Sequence, residues 1–267
     1  MKKCRLLSYV LITYLITWTF WIINFTVPTL HDSFRIIGSF VPIITALFFI
    51  YHYEGKEKLK KCFKKLVAIK ASPLIYLFVF SYSIIIIYVP LFICNSLGCN
   101  YSINIASDVF GYSTNSVIQI FLCLLLISIA GGPLGEELGW RGLVLPKFQK
   151  RFNPFISAIV VAGIWSLWHL PMFYFHAEGY ENFLQFLFGT ICLSLIVTWL
   201  YNKTKGSLFI EILFHAIDDY VNYSHLHDLM NILNTSYFYR ITYYAVLLII
   251  LLLISIDMIR KPLKYEM

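Results

Sequence analysis

Three apolar stretches of this chain contain ionisable side chains at helical spacing, and the first is residues 131–142 (GGPLGEELGWRG). In it, Glu137 and Arg141 stand four residues apart with the acid first, so they can pair on one face of a helix. Glu136 lies about 100° away around the helix axis and has no such partner. Its carboxylate is therefore available for chemistry. The alternative is that both acids are interfacial charges at a helix end.

The second stretch, residues 163–176, places His169 one helical turn after Trp165. A neutral imidazole can act as a base, a hydrogen-bond donor or a metal ligand. A single histidine among aromatic side chains is also a common packing residue, so this position alone does not decide between the two. Pro171 predicts a bend just after the histidine.

The third stretch, residues 207–222, carries four ionisable side chains on one helical stripe: Glu211, His215, Asp218 and Asp219. They share an arc of roughly 100° on a helix that is otherwise mostly apolar. Ionisable groups are costly in hydrocarbon, so this stripe is expected to face a water-filled cavity or other helices. A surface helix is the alternative.

Composition predicts that membrane spans position these residues. Hydrophobic residues make up 59% of the 267 residues and charged ones 13%, whereas soluble domains are about a quarter charged. Apolar runs approach the roughly 20 residues needed to cross the hydrocarbon. The sequence therefore predicts an all-α, polytopic membrane helical bundle and a single domain, 1–267. The expected spans lie at 6–29, 35–53, 73–95, 115–133, 155–176, 183–201, 207–222 and 240–259.

The distribution of basic residues predicts orientation and argues against nucleic-acid binding. With the N-terminus inside, 19 of the 21 Lys and Arg residues fall in cytoplasmic segments, which predicts cytoplasmic termini in a multi-pass cell-membrane protein. The lysine-rich segment 56–70 either anchors this topology or lies on the anionic inner leaflet. Cys94 and Cys99 flank a loop placed outside, and they are either a disulfide or two free thiols.

The three stretches carry a set of motifs in a fixed order: E-E-x-x-x-R (Glu136, Glu137, Arg141), aromatic-x-x-x-H (Trp165, His169) and H-x-x-x-N/D (His215, Asp219). Over roughly residues 131–222 this pattern resembles the CPBP or Abi family of intramembrane proteases. That family includes type II CAAX prenyl endopeptidases and bacterial proteins of bacteriocin processing and self-immunity.

The resemblance implies a role for each motif residue. Glu136 would activate the attacking water with help from His169, and His215 with Asp219 would stabilise the oxyanion. Glu137, Arg141 and the aromatic Trp165, where the family usually has Phe, would be structural support.

The extra acids Glu211 and Asp218 favour an alternative for the same family. In it, a divalent metal such as Zn is bound by Glu136, His169 and His215. A straight-helix count also places His169 deeper in the membrane than the other two, so span five must tilt or start later for the three to meet.

Several functions remain open at this point. The substrate of an endopeptidase acting near the cytoplasmic leaflet would be a lipidated (CAAX-type) protein, a leader peptide or a bacteriocin precursor. A Lys- and Ile-rich composition is typical of AT-rich bacteria, which favours a peptide substrate and a bacterial plasma membrane. The alternatives are a non-catalytic bacteriocin self-immunity protein and, less favoured, an ion-coupled transporter with acids that relay ions.

Overall fold

The fold is an all-α bundle, known from a computed structural model that describes residues 3–27, 29, 33–102, 108–109, 112–113, 116–130, 132–177 and 182–260. Gly131 of the first motif lies outside these residues. The helices are α1 Lys3–Thr26, α2 Ser33–Ser39, α3 Val41–Glu54, α4 Lys56–Leu66, α5 Pro73–Ser96, α6 Val117–Ala130, α7 Pro133–Glu137, a π-helix Leu138–Val144, α8 Leu145–Gln149, α9 Pro154–Trp168, α10 Leu170–Tyr174, α11 Phe183–Lys203, α12 Leu208–Thr235 and α13 Tyr237–Arg260. Two short strands, β1 Asp108–Val109 and β2 Tyr112–Ser113, pair antiparallel.

The predicted polytopic membrane bundle is confirmed. Five helices in the described part of the chain are long and apolar enough to cross a membrane: Arg5–Thr26, Ser33–Glu54, Pro73–Ser96, Phe183–Lys203 and Tyr237–Ile259. A sixth span is counted if α6 and the helical segment Pro133–Gln149 are taken together, although a bend of 45° separates them. The count of eight spans and the location of the termini stay predictions. Cys94 and Cys99 are free thiols here.

Helix ends depart from the prediction in the two histidine-bearing stretches. The expected span at 155–176 starts where predicted, since the Asn153 side chain accepts a hydrogen bond from the Ile156 backbone N–H. It is not one continuous helix, however, because it is divided at His169, where Pro171 predicted a bend and lacks the N–H that would continue the helix. The span predicted to end at 222 instead runs on to Thr235, as no Gly or Pro interrupts it.

The first motif occupies a short broken helix that packs closely on its neighbours. A Cβ added at Gly135 would lie 2.2 Å from the backbone oxygen of Ser39, and one at Gly139 would lie 2.6 Å from the Tyr9 hydroxyl. Two glycines four residues apart allow this close helix approach. The backbone that carries Glu136 and Glu137 is thereby fixed against the segment joining α2 to α3.

Substitution of Gly135 by Ala should therefore destabilise the protein by about 1–3 kcal/mol, the usual cost of overpacking. Gly163→Ala, in α9, is the matched control, because a Cβ there meets nothing within 4 Å and Ala favours a helix interior. Thermal unfolding of both variants in one detergent measures the difference. Equal midpoints for the two variants would contradict the close packing.

Candidate active site

The three stretches meet at one cavity of about 290 Å³. Six residues singled out from the sequence line it: Glu136, Trp165, His169, His215, Asp218 and Asp219. Tyr82, Asn222 and Tyr243 also line it. Sequence spacing did not single out these three, because two of them come from α5 and α13, which carry no motif. The other predicted residues, Glu137, Arg141 and Glu211, are buried behind the wall.

Glu136 reaches the cavity from α7 and is 6% exposed. Its Oε2 accepts a hydrogen bond from the indole N–H of Trp165. A Cβ at Gly132 would lie 2.3 Å from Oε1 of this carboxylate, and Gly132 has a φ of +125°. The backbone angle therefore favours glycine at this position, and a larger residue would also displace the Glu136 carboxylate.

Glu137 joins two of the motifs through one carboxylate oxygen. Its Oε1 accepts from Arg141 Nη1 at 3.0 Å, so the ion pair predicted from the spacing is present. The same oxygen lies 2.8 Å from His215 Nδ1 on α12. All three side chains are buried, with Glu137 and Arg141 at 0% exposure. Glu137 is thus more than local support, because it fixes the orientation of the His215 ring.

Trp165 lies at the centre of the site. The Arg141 guanidinium carbon lies 4.4 Å from the Trp165 ring centre, within the range of a cation–π interaction. The rings of Trp165 and His215 meet edge to face at 5.3 Å. Trp165 therefore contacts Glu136 and Arg141 of the first motif and His215 of the third.

His169 is held at the end of α9. Its Nδ1 lies 3.0 Å from the Trp165 carbonyl oxygen, and its ring packs against Trp168 at 4.7 Å and Phe186 at 4.9 Å. The straight-helix count required α9 to tilt or to start later. It starts at Pro154, and His169 lines the same cavity as Glu136 and His215.

The acids of α12 divide between two surroundings. Asp219 Oδ2 lies 3.7 Å from His215 Nε2, and Asp218 accepts from Ser83 Oγ and Asn222 Nδ2, each at 3.1 Å. Glu211 is fully buried outside the cavity wall, and within the described part of the chain neither of its carboxylate oxygens has a hydrogen-bond partner. The predicted stripe therefore places Asp218 and Asp219 in the cavity wall. Its third acid, Glu211, lies in the interior of the bundle near Arg141.

The side chains as placed do not fit a metal centre. In the residues that the structure describes, no three His, Cys, Asp or Glu side chains are grouped so that they could hold a metal ion. Among the described residues, Glu136, His169 and His215 are therefore not assembled as a metal-ligand set.

Removing Arg141, which pairs with the buried Glu137, should destabilise the protein far more than removing a lysine from a partly exposed ion pair. Arg141→Met leaves a buried carboxylate with only His215 to neutralise it, so we expect a loss of about 3–5 kcal/mol. Lys203→Met breaks the Lys203–Asp257 pair, whose side chains are 34% and 31% exposed, and should cost under about 1 kcal/mol. Unfolding in denaturant tests both variants. Similar losses would contradict a buried ionic network.

Comparisons with known proteins identify a family that this chain resembles. Residues 118–221 match the family model described as type II CAAX prenyl endopeptidase Rce1-like. The CAAX prenyl protease 2 of Methanococcus maripaludis is 28% identical over 231 aligned residues, which cover 80% of this chain and 81% of the relative. The resemblance that the three motifs predicted is confirmed, since this chain is similar to type II CAAX prenyl endopeptidases in both comparisons.

Proposed function

We propose that this protein is a membrane-embedded endopeptidase in which Glu136 activates the water that hydrolyses a peptide bond. The similarity to a CAAX prenyl protease supports a membrane endopeptidase. The observation that carries the catalytic assignment is the position of Glu136, His169 and His215 on the wall of one cavity. A carboxylate and two imidazoles in a poorly solvated cavity are groups suited to moving protons and to stabilising developing charge.

In the proposed reaction, Glu136 takes a proton from a water molecule as the water oxygen attacks the scissile carbonyl carbon. Trp165 holds the carboxylate by donating to Oε2, and His169 helps to position the water. The tetrahedral intermediate then collapses, the C–N bond breaks, and the proton on Glu136 passes to the leaving amine. The carboxylate is thus regenerated at the end of each turnover.

His215 is proposed to stabilise the oxyanion of the intermediate. Because Nδ1 engages Glu137 at 2.8 Å, only the doubly protonated ring can also donate from Nε2. The carboxylates of Glu137 and Asp219, one on each side, favour this positive form. Asp219 then supports the charge on His215, a role that an ionised aspartate can perform although it cannot itself donate to an oxyanion.

The proposed substrate is a peptide segment at the cytoplasmic leaflet of a bacterial plasma membrane, either prenylated at its end or part of a leader or bacteriocin precursor. The similarity to a CAAX prenyl protease supports a lipidated substrate, and the resemblance of the motifs to bacteriocin-processing proteins supports a leader or precursor peptide. They differ in whether a lipid must enter with the peptide. Cleavage assays with matched prenylated and unprenylated peptides would separate them.

Glu136→Gln should lower peptide cleavage by roughly 100-fold or more, since loss of a general base typically costs that much. Gln keeps the volume and can still face the Trp165 indole, so the fold should be retained. Glu57→Gln changes an exposed glutamate of α4 and should leave cleavage unchanged. The assay uses purified protein in liposomes with a fluorogenic peptide.

Several outcomes would overturn this mechanism. Full cleavage by the Glu136→Gln variant would exclude Glu136 as the general base. Loss of wild-type cleavage on chelation, with recovery on adding zinc, would show that a metal activates the water instead. An absence of cleavage of any peptide by wild-type protein, with toxin protection intact, would favour a self-immunity protein, and ion flux abolished by Asp219→Asn would favour a transporter.

Trp165→Phe tests the support given to Glu136. Phe keeps an aromatic ring beside Arg141 but removes the donor to the carboxylate, so we expect cleavage to fall by roughly tenfold, the usual effect of losing one hydrogen bond to a charged group. Trp165→Leu also removes the aromatic ring, so its cleavage should be slower still and its fold less stable. Unchanged turnover in the Phe variant would mean that the indole N–H does not position Glu136.

A further inference from the structure

A second cavity, of about 330 Å³, lies outside the candidate active site and is strongly basic. One acid, Glu54, and six lysines line it: Lys58, Lys61, Lys64, Lys65, Lys147 and Lys205. The excess is five positive charges when all are ionised. Apolar side chains, among them Ile50, Leu143 and Pro146, form the rest of the wall. We call this the basic cavity.

The basic cavity lies at the level where two membrane-spanning helices end. Its wall includes the last turn of α3, which ends at Glu54, and Lys205, two residues after α11 ends. Helix α4 forms one side, and Phe63 and Val67 on and just after this helix are 48% and 73% exposed. A basic helix with exposed apolar residues is typical of a segment that lies in a membrane interface. The cavity therefore opens near lipid headgroups.

The lysines of the basic cavity outnumber the acids that line it. Glu54 pairs with Lys147, and Lys65 donates to the Tyr201 hydroxyl at 2.9 Å. Among the residues that the structure describes, Lys58, Lys61, Lys64 and Lys205 form no ion pair. Burial, aided by neighbouring lysines, lowers the pKa of both Lys58 and Lys65. An anion in the cavity would relieve this repulsion.

We propose that the basic cavity binds a phosphate-bearing anion, and that its source is the headgroup of an anionic phospholipid of the inner leaflet. Clustered lysines beside a membrane recognise phosphate through charge. The wall is not uniformly polar, because the edges of Ile50, Leu143 and Pro146, which are otherwise buried, form its apolar part and suit the glycerol and ester part of a lipid. Free phosphate would leave that apolar part of the wall uncovered. This site is independent of peptide hydrolysis.

The test measures binding of a short-chain phosphatidylglycerol to the full chain in detergent by calorimetry, with short-chain phosphatidylcholine and inorganic pyrophosphate as separate probes. Lys61→Gln/Lys64→Gln removes two exposed lysines of the cavity and should weaken phosphatidylglycerol binding by roughly tenfold or more. Lys56→Gln/Lys60→Gln is the matched control. It removes the same charge from exposed positions of the same helix that do not line the cavity, and its affinity should stay within about twofold of wild type.

The competing outcomes are distinct. Equal weakening in the two double variants would mean that only general surface charge attracts the lipid, and no weakening in either would place the lipid elsewhere; both overturn the proposal. Equal binding of phosphatidylcholine would also overturn it. If pyrophosphate binds at these lysines and phosphatidylglycerol does not, the proposal that the anion is a lipid headgroup is wrong. Because no step reads out cleavage, a failure of the proposed peptidase function would leave this result unaffected.

Discussion

The candidate site depends on a single buried carboxylate oxygen, Glu137 Oε1, which lies 3.0 Å from Arg141 and 2.8 Å from His215. A carboxylate with no exposed surface is tolerated only while its charge is compensated. The π-helix that carries Arg141 and the α12 helix that carries His215 therefore cannot separate without exposing an unpaired charge to an apolar interior. Such a network adds little to stability compared with apolar packing, but it specifies one arrangement of the two helices.

Trp165 extends this constraint to the third motif. Its ring lies under Arg141 at 4.4 Å and its N–H bonds Glu136, so the position of the candidate base depends on the ionic pair behind it. His169 in turn takes its orientation from the Trp165 backbone carbonyl. Three segments that are distant in sequence are thus linked through one indole.

Sequence spacing predicted the contacts within one helix and missed the contacts between helices that are distant in sequence. The Glu137–Arg141 pair follows from one helical turn, and the α12 stripe brings His215, Asp218 and Asp219 to one cavity. The His215–Glu137 contact joins residues 78 positions apart, which no periodicity contains. Apolar runs identified the membrane class but not the helix ends. Pro171 predicted the bend after His169, whereas hydropathy does not indicate that α12 continues to Thr235.

The π-helix Leu138–Val144 gives two consecutive residues opposite surroundings. Arg141 is fully buried against Glu137 and Trp165, whereas Gly142 and Leu143 border the basic cavity. A Cβ at Gly142 would lie 3.4 Å from a Leu208 methyl group, so this side is closed by the start of α12. A helix fixed on both sides cannot shift its register, and π-turns commonly occur at functional sites. The π-helix therefore separates the candidate active site from the basic cavity.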